Sequence, residues 1–178
     1  MSTIDDLLFG MPQRVTPRVF VSYHHDNDQP FYDGFKQLFD DRYEVFTDTS
    51  LREEIESENT EYVLRRIRED YIKGSSVTVV LCGTATWRRK YVDWEIKATL
   101  DKEHALLGIQ LPTLQPNDSG KVTVPDRLAA NIQSGYALWK GWPSSPDNLA
   151  SWLETARGMA NETSRIINNQ PMMQRNRP

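Results

Sequence analysis

The chain has 178 residues, of which 38% are hydrophobic and 26% are charged, and its net charge at pH 7 is −4. This composition is typical of a globular domain and excludes the strongly basic surface of a nucleic-acid-binding protein. No segment approaches the roughly 18 apolar residues that cross a membrane, and the beginning of the sequence lacks the pattern of a signal peptide. The single cysteine, Cys82, suits a reducing compartment. We therefore expect a cytoplasmic protein whose partners include neither nucleic acid nor a membrane.

Strand and helix patterns alternate from the start of the chain. Residues 1–16 form a leader in which Pro12, with Pro17 directly after the leader, breaks any helix, and residues 18–23 form a β-branched and aromatic strand. The polar segment HHDNDQP is expected to be a loop, with Asp28 as the N-cap of a helix over residues 30–39. A short second strand follows at residues 43–48.

The middle of the chain repeats the alternation. An apolar period near 3.6 predicts a second helix over residues 62–71 that ends at Gly74. Residues 76–82 are almost continuously apolar, which is typical of a strand covered on both faces, so Cys82 is expected to be a core residue. A third helix over residues 90–102 and a fourth strand over residues 104–111 follow.

The last third begins with an irregular stretch at residues 112–124. A short helix at residues 125–132 and a fifth strand at residues 136–142 come next, and a closing helix runs to about residue 168. Residues 169–178 show no pattern, and we expect them to be a disordered tail. The predicted domain is therefore residues 17–168.

This alternation predicts an α/β fold, a flavodoxin-like doubly wound sheet of five parallel strands in the order 2-1-3-4-5. In such a sheet a ligand lies beyond the carboxyl ends of strands one and three, where the strand order reverses. Three segments are expected to meet at this switch point, and they read SYHHDND, TDTSLREE and CGTATW.

Several standard motifs are missing from the sequence. The first strand is not followed by G-x-G-x-x-G, no G-x-x-x-x-G-K-[ST] occurs, and the third strand ends in Leu81 and Cys82 where a receiver domain has an aspartate. His24 and His25 are the candidates for a metal site, but adjacent loop histidines point apart and no third ligand has suitable spacing. We expect no metal. The basic run at residues 88–90 alternates with acids and is expected to be a solvated face.

Glu95 lies early in the third helix, close to the switch point. Val92, Ile96 and Leu100 form the apolar stripe of this helix, and Glu95 lies about 100° from the centre of that stripe. This position places Glu95 at the border between core and solvent. Helix geometry alone leaves open whether it is a structural glutamate or a site residue.

Two segments, RVFVSYHHDND and IKGSSVTVVLCGTATWRRKYVDWEI, resemble TIR-type domains, and more closely the TIR-like family of bacterial antiphage defence proteins. Apolar strands, polar loop and helix glutamate follow one another in the order of that family. The resemblance covers about residues 18–142. Tyr91 and Val92 stand where the W-C-x-x-E motif of the family has tryptophan and cysteine.

The resemblance implies an enzyme that cleaves NAD at the nicotinamide–ribose bond, with Glu95 as the catalytic carboxylate. It makes NAD the substrate and requires no bound cofactor. Loops after the first two strands would border the nucleotide, and aromatic side chains could stack on its rings. For Tyr23 and Trp87, packing within the protein is an equal alternative to stacking on the substrate. The expected substrate-binding residues are Ser22, Tyr23, His24, Asp48, Thr49, Trp87 and Tyr91.

The acceptor of the ribosyl group decides the product, since water gives ADP-ribose and an internal group gives a cyclic ADP-ribose. The resemblance favours the cyclic product, which would signal to a separate effector protein in Thoeris-type antiviral defence, and it suggests self-association. Two other functions remain open at this stage. One is a non-enzymatic TIR-type assembly module, and the other is a flavodoxin-like protein that binds a nucleotide without cleaving it. A Glu95→Gln variant separates the enzyme from the module.

Overall fold

A computed structural model describes residues 17–39, 41–47 and 59–178 of the chain. In this part of the chain the five strands form one sheet in which all neighbouring strands are parallel. Their order across the sheet is β2-β1-β3-β4-β5, which confirms the predicted fold. The strands are β1 (Arg18–Ser22), β2 (Glu44–Phe46), β3 (Val77–Cys82), β4 (Ala105–Gln110) and β5 (Leu138–Lys140).

Helices cover both faces of the sheet. One face packs against the first and last of the helices, and the opposite face packs against the other three. A π-helical turn (Ile67–Tyr71) continues the second helix, and a short 3-10 turn (Thr86–Arg88) precedes the third. The helices are α1 (His25–Phe39), α2 (Thr60–Arg66), α3 (Lys90–Asp101), α4 (Asp126–Ser134) and α5 (Pro146–Ala160). None of the helices described is long and apolar enough to cross a membrane.

The central strand β3 is buried along its whole length, as its apolar run predicts. Val79 points to the α1 and α5 side of the sheet, whereas Val80 and Cys82 point to the opposite side. Burial raises the pKa of the Cys82 thiol well above its ordinary value, because the thiolate would lose its water. Cys82 is therefore an inert core residue.

Helix α1 begins at His25, five residues before the start expected from the sequence. The backbone N–H of Asp28 donates to the carbonyl of His24 at 2.8 Å, so helical bonding already covers the segment predicted to be a loop. Asp26 and Asp28 lie in the first turn, where the positive end of the helix dipole favours acidic side chains. Asp28 is therefore inside the helix and is not its N-cap.

Met173 and Asn176, in the segment 169–178, bond to α3, in contrast to the disorder expected of that segment. The indole N–H of Trp94 donates to the carbonyl of Met173 at 2.8 Å. The backbone N–H of Met173 in turn donates to the carboxylate of Asp93 at 3.0 Å. These partners come from a distant helix, so a search for local periodicity does not find them. The leader at residues 1–16 lies outside the described residues.

Candidate functional site

Strands β1 and β3 are neighbours, and their carboxyl ends form the predicted switch point. Ser22, the last residue of β1, pairs with Val80 of β3. Tyr23 and His24 follow β1 directly, and the loop after β3 leads into α3 at Lys90. The chain therefore brings the first-strand loop and the start of α3 to the same edge of the sheet.

Glu95 is joined to β1 at this edge. The hydroxyl of Ser22 donates a hydrogen bond to a carboxylate oxygen of Glu95. Both residues are buried, with exposed fractions of 0% for Ser22 and 2% for Glu95. The position at the border of core and solvent, expected from helix geometry, is thus corrected: the end of β1 covers this face of α3. A carboxylate held in this way is fixed in space.

A cavity of about 570 Å³ opens beside Glu95, between the first-strand loop and the first turns of α3. Its volume is within the range of small-molecule sites. Acidic and basic side chains both contribute to its wall. The lining residues are Tyr23, His24, His25, Asp26, Arg89, Lys90, Tyr91, Val92, Glu95 and Asn176. A second cavity, of about 620 Å³, lies against Asp93 and Asp126, and none of the predicted site residues lines it.

His24 presents a buried imidazole to the 570 Å³ cavity. His24 is only 7% exposed, and neither of its ring nitrogens has a hydrogen-bond partner within the described ranges. The carboxylate of Asp26 is 3.9 Å from Nε2, too far for a hydrogen bond. Burial lowers the pKa of His24, the charge of Arg89 lowers it further, and Asp26 opposes the change. The ring is therefore neutral at pH 7 and offers one donor and one acceptor to a ligand.

Two tyrosines line the same cavity. The Tyr23 ring is stacked on Tyr32, with ring centroids 4.6 Å apart, and its hydroxyl donates to Gln29 at 2.8 Å. The Tyr91 ring meets Trp94 edge to face at 5.6 Å. Each ring is thus held by packing within the protein and also borders the cavity.

The predicted site residues fall into three groups. Tyr23, His24, Tyr91 and Glu95 line the cavity, and Ser22 joins them through its bond to Glu95. Trp87 is not among the lining residues, and its ring lies 5.0 Å from the guanidinium of Arg88 and 5.8 Å from that of Arg177. The third group, Asp48 and Thr49, lies outside the described residues. No cluster of metal-binding side chains occurs in the part of the chain that the structure describes.

Sequence reasoning missed the basic wall of the cavity. Arg89 and Lys90 were expected to face solvent, but they stand at the start of α3 and line the cavity. Asn176 was also missed, since it belongs to the segment expected to be disordered. The position of Arg89 and Lys90 directly before the Glu95 helix was the signal that could have placed them at the switch point.

A buried cluster around Asp28 fixes the loop between β3 and α3. Asp28 is 2% exposed, and the Thr86 hydroxyl donates to its carboxylate at 3.3 Å. The same hydroxyl accepts the backbone N–H of Gly83 at 2.8 Å. Burial raises the pKa of Asp28, and the Thr86 hydrogen bond opposes that rise. The cluster ties α1 to the loop that leads to α3.

Comparisons with known proteins now bear on identity. The model of the family described as the Thoeris protein ThsB, TIR-like domain, matches residues 20–116, more than half of the chain. A search of curated proteins finds no match. A solved structure of the TIR domains of the activated Roq1 resistosome, which directly recognizes the pathogen effector XopQ, is 14% identical, with a TM-score of 0.38, and the match covers 82% of this chain and 84% of that chain. The family match shows that the chain is a TIR-domain defence protein and belongs to the Thoeris ThsB TIR-like family.

Proposed function

We propose that the chain is an enzyme that cleaves NAD at the bond between nicotinamide and ribose, with Glu95 as its catalytic carboxylate. The observation that carries this proposal is the Glu95 carboxylate itself, buried, hydrogen-bonded by Ser22 and lining a cavity of about 570 Å³ at the switch point of the sheet. The family match supports a TIR-type protein, and the position of the Glu95 carboxylate beside the cavity suits the NAD cleavage that this resemblance implies.

The proposed reaction breaks the C–N bond between ribose and nicotinamide. The bonding electron pair leaves with nicotinamide, which becomes neutral, and positive charge develops on the ribose ring. A fixed carboxylate stabilises such an oxocarbenium-like centre, as carboxylates do in glycoside cleavage. Glu95 is placed for this role because Ser22 and the helix hold it in one position. A nucleophile then bonds to the ribose carbon and loses its proton.

The basic wall of the cavity suits the anionic pyrophosphate in the middle of NAD. Arg89 and Lys90 lie at the beginning of α3, where the helix dipole also favours anions, and both line the cavity. These groups would hold the pyrophosphate. The neutral His24 ring would hydrogen-bond a ribose hydroxyl, and Tyr23 or Tyr91 would contact a ring of the substrate. NAD is thus a substrate, and the proposal requires no metal or bound cofactor.

The proposal extends to the product and its use. An internal group of the same NAD molecule would act as the nucleophile and give a cyclic ADP-ribose, which would signal to a separate effector protein in antiviral defence. Self-association of the chain in the cytoplasm is part of this proposal. The resemblance to the Thoeris family supports the cyclic product and the self-association.

The test is nicotinamide release from NAD at high protein concentration, with the products resolved by mass. Wild-type protein should release nicotinamide and form a product of the mass of cyclic ADP-ribose. The Glu95→Gln variant should be slower by at least about 100-fold, since it loses the charge that stabilises the transition state. Glu61→Gln is the matched control, because Glu61 is an exposed carboxylate on α2, and it should behave as wild type.

Equal release by wild type and Glu95→Gln would show that Glu95 is not the catalytic residue. The same assay on lysates of phage-infected cells covers an enzyme that needs a trigger. No release there either would reject NAD cleavage. Defence that survives the Glu95→Gln change would then favour the non-enzymatic assembly module.

A further inference from the structure

Residues 170–177, which we call the strap, run along α3 next to the cavity that Glu95 lines. Backbone hydrogen bonds hold the strap at two points along this path. Near its middle, Met173 bonds to Trp94 and Asp93 of α3 through its backbone. Towards its end, the backbone N–H of Arg177 donates to the carbonyl of Arg88 at 2.9 Å. The strap therefore follows the first two turns of the helix that carries Glu95.

A buried charge anchors the beginning of the strap. The side chain of Arg127 on α4 is 0% exposed, and its guanidinium pairs with the carboxylate of Asp93 at 2.9 Å. It also donates to the carbonyls of Gln170 at 3.2 Å and Pro171 at 3.3 Å. Because an unsatisfied buried guanidinium is costly, these two bonds favour one fixed course for the strap. The strap is part of the folded domain.

Asn176 acts where α3 begins. The first N–H groups of a helix have no partner within the helix, and the Arg89 side chain makes no cap there. The side-chain oxygen of Asn176 accepts the backbone N–H of Lys90 at 3.0 Å, although the two residues are 86 positions apart. The side-chain oxygen of asparagine is one of the acceptors that N-cap residues use to satisfy N–H groups of a first helical turn. Asn176 thus supplies from a distance the bond that a residue next to the helix usually makes.

The same side chain borders the cavity. Asn176 is one of the residues that line it, together with Arg89, Tyr91 and Glu95 from the beginning of α3. We propose that Asn176 is a positioning residue of the site: by capping α3 it fixes the first turn of that helix, and with it Arg89 and Tyr91, relative to Glu95. This inference rests on the proposed function, and it adds to it a segment beyond the family match, which ends at residue 116.

The test compares four full-length proteins, wild type, Asn176→Ala, Asn176→Asp and Gln174→Ala. Asn176→Ala removes the capping oxygen, whereas Asn176→Asp keeps it, because aspartate caps a helix about as well as asparagine. Gln174 is an exposed strap residue whose side chain donates to the carbonyl of Met172 in the strap, and it is not among the residues that line the cavity of Glu95, so it serves as the matched control.

Two readouts are measured. The first is hydrogen exchange at the Lys90 amide, which requires no activity and should be faster in Asn176→Ala than in the other three proteins. The second is the KM for NAD in the nicotinamide assay. It should rise about fivefold in Asn176→Ala, the factor that corresponds to the roughly 1 kcal/mol of a helix cap, with kcat changed less. Asn176→Asp should restore the wild-type exchange at Lys90, whereas its own KM also includes the repulsion between the new carboxylate and the pyrophosphate that Arg89 and Lys90 would hold.

Each outcome decides one question. Unchanged exchange at Lys90 in Asn176→Ala would overturn the cap, whatever the activity. Faster exchange with an unchanged KM would overturn positioning of the site. Absence of activity in wild type, in lysates of phage-infected cells as well, would instead reject the proposed function, while the exchange result would still report on the strap.

Discussion

Two buried carboxylates on α3, Asp93 and Glu95, are only two positions apart in the sequence and serve different ends. Asp93 is 5% exposed and Glu95 is 2% exposed. Asp93 pairs with the buried guanidinium of Arg127 at 2.9 Å and accepts the N–H of Met173 at 3.0 Å. Glu95 accepts the neutral hydroxyl of Ser22 and lines the 570 Å³ cavity.

The contrast shows that burial of an acid does not by itself indicate chemistry. Asp93 also borders a cavity, of about 620 Å³, but its charge is matched by a cation that belongs to the fold. Its bonds join α3 to α4 and to the strap, so its role is structural. Glu95 is joined to β1 by a hydroxyl, and its carboxylate stands beside open space at the switch point. Three experiments can break or sharpen this comparison.

The largest effect is expected on stability. Asp93→Asn leaves the buried guanidinium of Arg127 without its counter-charge and should lower the free energy of unfolding by about 3–5 kcal/mol. Glu95→Gln keeps the shape of the side chain and an acceptor for Ser22, so it should change that free energy by less than about 1 kcal/mol. Urea unfolding at pH 7 measures both variants.

A double variant, Asp93→Leu with Arg127→Met, is the control for the pair. Removal of both charges should restore much of the stability that Asp93→Asn loses, because no unpaired charge is then buried. If Glu95→Gln proves as destabilising as Asp93→Asn, Glu95 is itself a structural anchor, and the contrast between the two acids fails.

A smaller effect is expected on the rate when the hydroxyl that holds Glu95 is removed. Ser22→Ala should lower nicotinamide release by at least about tenfold, since a hydrogen bond to a charged group contributes roughly 1.5–3 kcal/mol. Thr78→Val is the matched control, because its buried hydroxyl on β3 bonds to Thr99 at 2.7 Å and does not line the cavity. It should lower stability and leave the rate unchanged.

Equal losses of rate in the two hydroxyl variants would mean that any disturbance of the sheet slows the reaction. The bond between Ser22 and Glu95 would then have no special part in catalysis.

The fold could be predicted from the sequence, and so could the Glu95 side of the comparison between the two acids, with help from the family resemblance. The apolar run of β3 and the alternation of strands and helices determine the order of the sheet, and that order brings the end of β1 to the start of α3. The sheet order predicts only that Ser22 and His24 stand at the carboxyl end of β1, and the resemblance to a family was needed to make them site residues. Glu95 needed the resemblance to a family as well, since helix geometry placed it only at the border of the core.

The other side of the comparison depends on contacts that leave no local pattern. The Asp93–Arg127 pair joins residues 34 positions apart, and the bond from Lys90 to Asn176 spans 86 positions. The sequence around each of these four residues is that of an ordinary surface residue. The early start of α1 was missed for another reason: two histidines and two aspartates are typical of a loop, yet acids in the first turn of a helix are also favourable.

The smallest effect concerns pH and the imidazole that borders the same cavity as Glu95. Burial and Arg89 lower the pKa of His24, so the folded protein favours the neutral ring. A group with a lowered pKa contributes stability above its unfolded pKa of about 6.5, and this stability is lost as the pH falls. The free energy of unfolding should therefore decrease below pH 6.5, and His24→Gln should make that decrease shallower.

Other buried groups contribute to the same curve, so the difference between variant and wild type is the quantity to measure. Burial also lowers the pKa of His104, which should give a second decrease in the same direction, and a double variant with His104→Gln should be shallower still. Burial raises the pKa of Asp28, whose effect has the opposite sign: its contribution is lost as the pH rises through the folded pKa. Because Asp28 is common to all the proteins, it cancels in the difference. Identical slopes with and without His24 would show that the ring takes up a proton at no cost in the folded protein, and a ring that does so is not held neutral beside Glu95.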